Sequence, residues 1–292
     1  MSENGAFKTK SGQIVRRGRP FVKMHGLRND FIIVDGRDLH FEPSVAEIVR
    51  ICDRRAGVGG DELLVIDSPP SGNEAYARVR IFNPDGREVE ACGNATRCVG
   101  WLFLQESGGD EVLIDTRGGK LKCRRSGEKQ VTVDMGRLRT GWRDIPLARE
   151  MDTLHLPVGA GPLQDPVGMN IGNPHAVFFV DDLDAVDLAV YGPQLQKHPL
   201  FPEEANIGAA QIIDSKTLKL SVWERPGALT TACGTGACVA VGAAHRRGLT
   251  TERHMQVIMP AGSVEIELKA QGVLVMTGPV EICYTGYLPV IG

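Results

Sequence analysis

Phe82-Asn83-Pro84-Asp85-Gly86, followed by Ala91-Cys92-Gly93-Asn94, has a counterpart 141 residues later in Trp223-Glu224-Arg225-Pro226-Gly227, followed by Ala232-Cys233-Gly234-Thr235. In both stretches Gly stands three residues after the polar residue that opens the turn, and Ala-Cys-Gly follows at the same interval. A period-two strand leads into each. Ala77, Val79 and Ile81 alternate with Arg78, Arg80 and Phe82, and Leu218, Leu220 and Val222 alternate in the second copy. A helix of small residues is predicted after each Cys-Gly, and the second copy stops at Arg246-Arg247-Gly248 with cations in its last turn. Further out, Asn29-Asp30-Phe31-Ile32-Ile33-Val34-Asp35 parallels Asn173-Pro174-His175-Ala176-Val177-Phe178-Phe179-Val180-Asp181 at an offset of 144. Two matched pairs at nearly one spacing point to a duplicated unit of about 140 residues, a common domain size. The expectation is two similar lobes related by a pseudo-two-fold axis. A site in the cleft between them would receive one Cys-Gly turn from each.

The remaining pattern fits alternating strands and helices. Short strands are predicted at 31–34, 63–66, 77–82, 111–115, 120–124 and 130–134. Pro43 to Arg54 carries apolar residues at Val45, Ile48, Val49 and Cys52, an amphipathic helix. Gly93 to Leu104 is predicted helical, closed by Gly108-Gly109. Residues 1–18 are polar, with Lys8, Lys10, Arg16 and Arg17, and are expected to form a partly disordered tail.

Composition narrows the function classes. The 292 residues carry 33 basic and 36 acidic side chains, so no basic excess suits nucleic acid. No apolar run nears the ~18 residues of a membrane span, and no secretory signal is expected. Seven cysteines, an odd number, fit a reducing cytosol better than a disulfide scaffold.

Cys92 and Cys233 each fall where a strand gives way to a helix. The positive end of the helix dipole and the unpaired N–H groups there should favour the thiolate and also bind a carboxylate. Structural zinc does not fit. Cys98 and Cys238, six and five residues on, lie on other helix faces, and neither spacing matches a zinc knuckle, so both are expected in the core. Two equivalent thiols suit a reaction that is itself nearly symmetric: one removes a proton from a carbon while the other supplies one to the opposite face. A single-nucleophile hydrolase would leave the second thiol unexplained.

Other motifs are weaker. Gly57-Val58-Gly59-Gly60-Asp61 lacks the third glycine of a dinucleotide loop, where Glu62 stands, and no phosphate-binding lysine follows. It reads as a turn able to contact substrate. Met135, Met169, Met255, Met259 and Met276 are expected in the core, and Asp181, Asp182 and Asp184 on a solvated face. His155, His198, His245 and His254 are expected at the surface or in satisfied structural positions.

At these residues the chain resembles the diaminopimelate epimerases. Lys23-Met24-His25-Gly26-Leu27-Arg28-Asn29-Asp30-Phe31 is similar to that family's opening motif. Phe82-Asn83-x-Asp85-Gly86 with Cys92-Gly93-Asn94 is similar to its first cysteine motif. Gly172-Asn173-Pro174-His175, Phe201-Pro202-Glu203 with Asn206, Glu224-Arg225 and Ala232-Cys233-Gly234-Thr235-Gly236-Ala237-Cys238 follow in order, and the likeness runs from Phe21 to the end.

The resemblance implies an α/β (α+β) fold of two similar lobes with the active site between them. The first lobe would span 19–134, joined by 279–292, and the second 135–278. It implies epimerisation of LL- and meso-2,6-diaminopimelate for lysine and peptidoglycan synthesis, in a cytoplasmic homodimer without pyridoxal phosphate or metal. Cys92 and Cys233 would be the acid–base pair. Gly93 with Asn94, and Gly234 with Thr235, would hold the reacting carboxylate. Asn29, Glu62, Asn83, Asn173, Asn206, Glu224 and Arg225 would contact substrate, with Arg225 gripping a distal carboxylate. His175 and Glu224 would tune the thiols. Arg28 replaces a usual glycine, Glu62 a usual glutamine, Pro226-Gly227-Ala228-Leu229 a more glycine-rich stretch, and Ala95-Thr96 a common Gly-Ala. The competing readings are a proline or hydroxyproline racemase, which also pairs two cysteines, and a catalytically silent thiol redox or binding protein.

Overall fold

The computed structural model of the protein describes residues 7–8, 14–15, 17–90, 92–225 and 227–289. Ala91, Pro226 and most of the expected tail lie outside them. Of that tail, Phe7–Lys8 (β1) and Ile14–Val15 (β2) pair antiparallel.

The chain divides into two compact units, Met1–Leu121 with Val280–Gly292, and Lys122–Pro279. The first holds β3 (Arg17–Gly26), β4 (Asn29–Asp35), α1 (Val45–Cys52), β5 (Glu62–Asp67), β6 (Ala77–Phe82), β7 (Glu88–Val89), α2 (Gly93–Ser107) and β8 (Glu111–Thr116). Within β9 (Gly119–Gly127) the chain passes to the second. There follow β10 (Gln130–Arg137), the short hairpin β11 (Gly159–Ala160) and β12 (Leu163–Gln164), β13 (Val167–Asn170), β14 (Pro174–Phe179) and α3 (Leu188–Gln196). Next are β15 (Asn206–Asp214), β16 (Thr217–Glu224), β17 (Ala228–Thr230), α4 (Gly234–Arg246), β18 (His254–Met259), β19 (Gly262–Leu268) and β20 (Val273–Pro279). β21 (Glu281–Pro289) returns to the first unit and pairs antiparallel with β3.

The repeat read from the cysteine turns is a repeat of topology. In the first unit β3 is antiparallel to β4, β4 parallel to β5, β5 antiparallel to β6, and β6 parallel to β8 with β7 antiparallel to it. In the second, β13, β14, β15, β16, β18 and β17 repeat every one of these relations. The helices occupy matching crossovers: α1 and α3 join the first parallel pair, α2 and α4 the second. Register keeps the 144-residue offset, since Phe31 lies opposite Glu62 and His175 opposite Asn206.

The boundary expected at 134/135 moves. The expected boundary puts most of β10 in the first lobe, but β10 pairs with β20 from Gln130↔Pro279 to Arg137↔Val273 and with β9, so the second unit begins at Lys122. Long-range pairing of this kind leaves no local sequence mark.

Local chemistry explains the elements that carry the site. α1 starts at Val45 rather than Pro43 because Ser44 caps it: its hydroxyl accepts from Glu47 N–H, and the Glu47 carboxylate accepts from Ser44 N–H at 2.8 Å. α2 and α4 begin with Gly and small residues, and ten residues of each are buried, so both are core helices rather than surface ones. Cys98 and Cys238 are fully buried within them, as are Met169, Met255 and Met276 elsewhere.

The Gly57–Asp61 stretch closes α1. Val58 and Gly59 N–H donate to Ile51 O, each at 3.0 Å, and Gly60 N–H donates to Cys52 O at 3.1 Å, which satisfies the last carbonyls of the helix. A Cβ on Gly57 would stand 1.9 Å from Arg50 O and 2.7 Å from Ile51 O. Both are backbone atoms and cannot swing away. Gly57→Ala is therefore expected to cost at least about 2 kcal/mol in urea unfolding. An unchanged midpoint would show that α1 tolerates a different closing loop.

Candidate active site

Each cysteine ends an extended segment and caps a helix. Cys92 has φ −136° and ψ 117°, Cys233 φ −126° and ψ 107°. The first i+4 bonds close behind them: Thr96 N–H donates to Cys92 O at 2.8 Å and Ala237 N–H to Cys233 O at 2.9 Å. The N–H groups just after each cysteine thus start a helix and point away from its carbonyl ladder.

A matching asparagine bond braces each helix start. Asn94 Nδ2 donates to Asn29 Oδ1 at 3.1 Å, and Asn173 Nδ2 donates to Thr235 Oγ1 at 3.3 Å. Asn29 and Asn173 are repeat partners, as are Asn94 and Thr235. The duplication thus preserves a strand-to-helix tie as well as the thiol.

The two thiols have different neighbours. Cys92 is partly exposed, and its Sγ donates to Asn29 Oδ1 at 3.7 Å. Cys233 is buried; its Sγ accepts from Gly236 N–H at 3.3 Å and lies 3.5 Å from Thr235 Oγ1. Its own N–H donates to Met259 Sδ at 3.4 Å. The expectation that a helix start lowers both thiols fails at Cys233. Burial and the neighbouring Glu224 carboxylate push it well above the ordinary thiol value, against the opposing pull of Thr235 and Gly236 N–H. Glu224 is itself raised by burial, which outweighs the bonds that Thr230 and Cys233 make to it. The Thr230 hydroxyl donates to Glu224 Oε1 at 2.6 Å.

His175 is fully buried on β14. Its Nε2 lies 3.0 Å from Asn173 Oδ1, 3.2 Å from Thr235 Oγ1 and 3.3 Å from Asn206 Nδ2. Among the described residues its Nδ1 is buried without a hydrogen-bond partner. Burial, aided by the Arg225 charge, lowers it to about 3, so the ring is neutral at physiological pH. Asn206 accepts Arg225 N–H at 2.9 Å, and Arg225 Nη1 donates to Glu203 O at 2.7 Å. Asn173, His175, Asn206, Glu224, Arg225, Cys233, Gly234 and Thr235 thus form one bonded group in the second unit.

In the first unit the structure gathers Asn29, Cys92, Gly93 and Asn94. Glu62 begins β5 opposite Phe31, the position Asn206 holds opposite His175. Asn83 opens the turn between β6 and β7, where its N–H donates to Arg87 O and its O accepts from Gly86 N–H. Two contributors have no site reading in the sequence, Thr230, which holds Glu224, and Met259, assigned only to the core; Asp61, in a turn read as able to contact substrate, instead accepts from Asn29. Among the described residues no group of three or more His, Cys, Asp or Glu gathers as for a metal, and no helix is long and apolar enough to cross a membrane.

A family model described as diaminopimelate epimerase matches residues 21–140 and 167–283. Among curated relatives, the diaminopimelate epimerase of Phenylobacterium zucineum (strain HLK1) is 48% identical, covering 93% of this chain and 98% of its own. That of Rhodospirillum centenum (strain ATCC 51521 / SW) is also 48% identical, covering 92% of each. The fold is shared with solved structures of lower identity. A hydroxyproline epimerase from Agrobacterium vitis superimposes with a TM-score of 0.67 at 14% identity, over 94% of this chain and 93% of that one. A Bacillus anthracis phenazine biosynthesis protein of the PhzF family gives 0.65 at 16%, over 93% and 99%.

Two outcomes follow from the charges. Alkylation requires the thiolate. Mass-spectrometric mapping should show Cys233 resisting iodoacetamide until strongly alkaline pH, and Glu224→Gln should move its reaction toward neutral pH by removing a negative neighbour. An unmoved profile would remove Glu224 from this role. For His175, the unfolded chain takes up a proton below pH 6.5 that the folded one refuses down to about 3. Its contribution is full above pH 6.5 and lost as pH falls through that window. Unfolding free energy should therefore drop there by about 1.4 kcal/mol per pH unit more in the parent than in His175→Gln. Equal slopes would mean that His175 titrates normally.

Proposed function

The chain belongs to the diaminopimelate epimerase family, and from that premise we propose that it interconverts LL-2,6-diaminopimelate and meso-2,6-diaminopimelate, with Cys92 and Cys233 as the acid–base pair at the α-carbon. The observation that carries this reading is the twice-built helix start: a cysteine at the N-cap, the first-turn N–H groups after it, and an asparagine tie, once in each unit.

The chemistry follows from those parts. One sulfur, as thiolate, takes the α-proton; the other, as thiol, gives its proton to the opposite face, and the pair ends the cycle with its charges exchanged. No net proton is gained or lost, so the reverse reaction starts from the state the forward one leaves. The α-proton is weakly acidic, and the barrier falls if charge moving toward the carboxylate meets fixed donors. Gly93 with Asn94, and Gly234 with Thr235, supply them from the starts of α2 and α4. Burial and Glu224 strengthen the hold of Cys233 on its proton, while Thr235 and Gly236 N–H favour its thiolate. These opposed pulls suit a group that must both give and take.

Substrate choice rests on the second end of the molecule. Arg225, fixed by Asn206 and Glu203, offers a guanidinium to a distal carboxylate. Asn29, Asn83, Asn173 and Asn206 supply amide contacts, and Glu62, where the family usually has glutamine, suits an ammonium group. A cyclic imino acid has no second terminus for this set. The product feeds lysine and peptidoglycan precursor synthesis. The same reading gives a cytoplasmic homodimer working without pyridoxal phosphate or metal, because the proton moves between side chains of the chain itself.

In deuterated water, turnover of LL-diaminopimelate should place one deuterium at the inverted carbon, with proline and hydroxyproline left unchanged. Cys92→Ala and Cys233→Ala should each reduce turnover by about 10²-fold or more. Full activity in either variant would overturn the two-thiol mechanism. Preferred turnover of proline would move the chain to the racemase reading, and binding without exchange to the silent one.

A further inference from the structure

Asp61 belongs to the glycine-rich stretch whose earlier residues close α1, and α1 does not need it: those bonds are made by Val58, Gly59 and Gly60. Its carboxylate is instead turned toward β4. Oδ2 accepts Asn29 Nδ2 at 3.0 Å and Asp30 N–H at 3.1 Å, while Oδ1 accepts Arg54 Nη2 at 2.7 Å. Arg54 also bonds both oxygens of Asp30, at 3.0 and 2.6 Å, and buried Lys23 pairs with Asp30 at 2.6 Å. Asp61 N–H in turn donates to Asp30 O at 2.8 Å. The carboxylate is pinned from three sides.

This fixes a choice that a side-chain amide otherwise leaves open. A carboxylate only accepts hydrogen bonds, so the Asn29 face turned to Asp61 must be NH2. The carbonyl must then face the other way, where it meets Cys92 Sγ at 3.7 Å and Asn94 Nδ2 at 3.1 Å. In the second unit Ala205 stands at the place of Asp61, and the amide is reversed: Asn173 turns its NH2 to Thr235 and its carbonyl to His175. The repeat partners therefore present opposite dipoles to their helix starts: acceptor-only Asp61 dictates the first orientation, whereas Asn173 faces Thr235 and His175, each able to donate or accept.

We propose that Asp61 is a positioning residue of the first cysteine site, locking the Asn29 amide so that its carbonyl, and not its NH2, faces Cys92. A carbonyl accepts from S–H and repels S⁻, so the lock strengthens the hold of Cys92 on a proton. It is the first unit's counterpart of Glu224 beside Cys233. A reversible proton exchange runs best when the two groups compete on similar terms, and the proposal deepens the two-thiol reading on which it rests. The charge of Asp61 is not what is transmitted. Its side chain is 43% exposed and paired with Arg54, so its field is screened; the orientation it imposes is not.

The test reads Cys92 in the free protein, apart from any turnover. Asp61→Asn can both donate and accept, so it permits either amide orientation. Peptide-mapped alkylation of Cys92 should then shift about one pH unit toward acid, a roughly tenfold faster reaction at pH 7. Asp61→Glu, which keeps an acceptor-only group, should stay near the parent profile. Asn29→Ala should reproduce the Asp61→Asn shift, and adding Asp61→Asn to Asn29→Ala should shift it no further. No shift in Asp61→Asn, or an equal further shift in the Asn29→Ala background, would overturn the proposal. Should Asp61→Asn fail to fold, a parent-like profile in Asn29→Ala would overturn it by itself. Loss of epimerisation with these alkylation results intact would instead count against the two-thiol function.

Discussion

The start of a helix leaves several backbone N–H groups pointing along its axis without partners in the helix, and each unit is organised around filling and aiming that place. Cys92 and Cys233 must be extended to cap their helices, so a strand and turn have to deliver them. Small residues must follow, because α2 and α4 run through the core. An asparagine at the edge of the neighbouring strand must hold the second residue of the helix in place. Strand order, helix composition and loop closure all serve that local geometry.

Duplication supplied the geometry twice, and the side chains then diverged. Phe31 and His175 occupy the same register position, as do Glu62 and Asn206. One unit buries a neutral imidazole among amides, and the other puts a carboxylate and an arginine beside its asparagine. Around Cys233 desolvation is the larger force, and the helix start only moderates it. Around Cys92 the thiol is more open and meets a carbonyl. The same backbone therefore carries two thiols whose affinities for a proton are set by different means.

Much of this was legible in the chain. The cysteine spacing and the Asn29/Asn173 pair revealed the repeat because period-two strands and glycine turns leave local marks, and 77–82 matched its strand residue for residue. Features made by distant pairing left none. β10 was misplaced because its partner, β20, lies far along the chain. Asp61 read as a turn because its contact with Asn29 exists only once β4 and β5 lie parallel. The rise at Cys233 was missed because sequence shows the helix start but not the burial that outweighs it.

The return of β21 to β3 has a consequence for how the molecule is made. Glu281 lies opposite His25, and Gly286 opposite Phe21, so β3 meets its outer neighbour only after the whole of the second unit has been synthesised. The second unit is continuous in sequence and can complete itself while the first still carries an open edge. During that interval β3 is the strand a chaperone would have the most reason to shield.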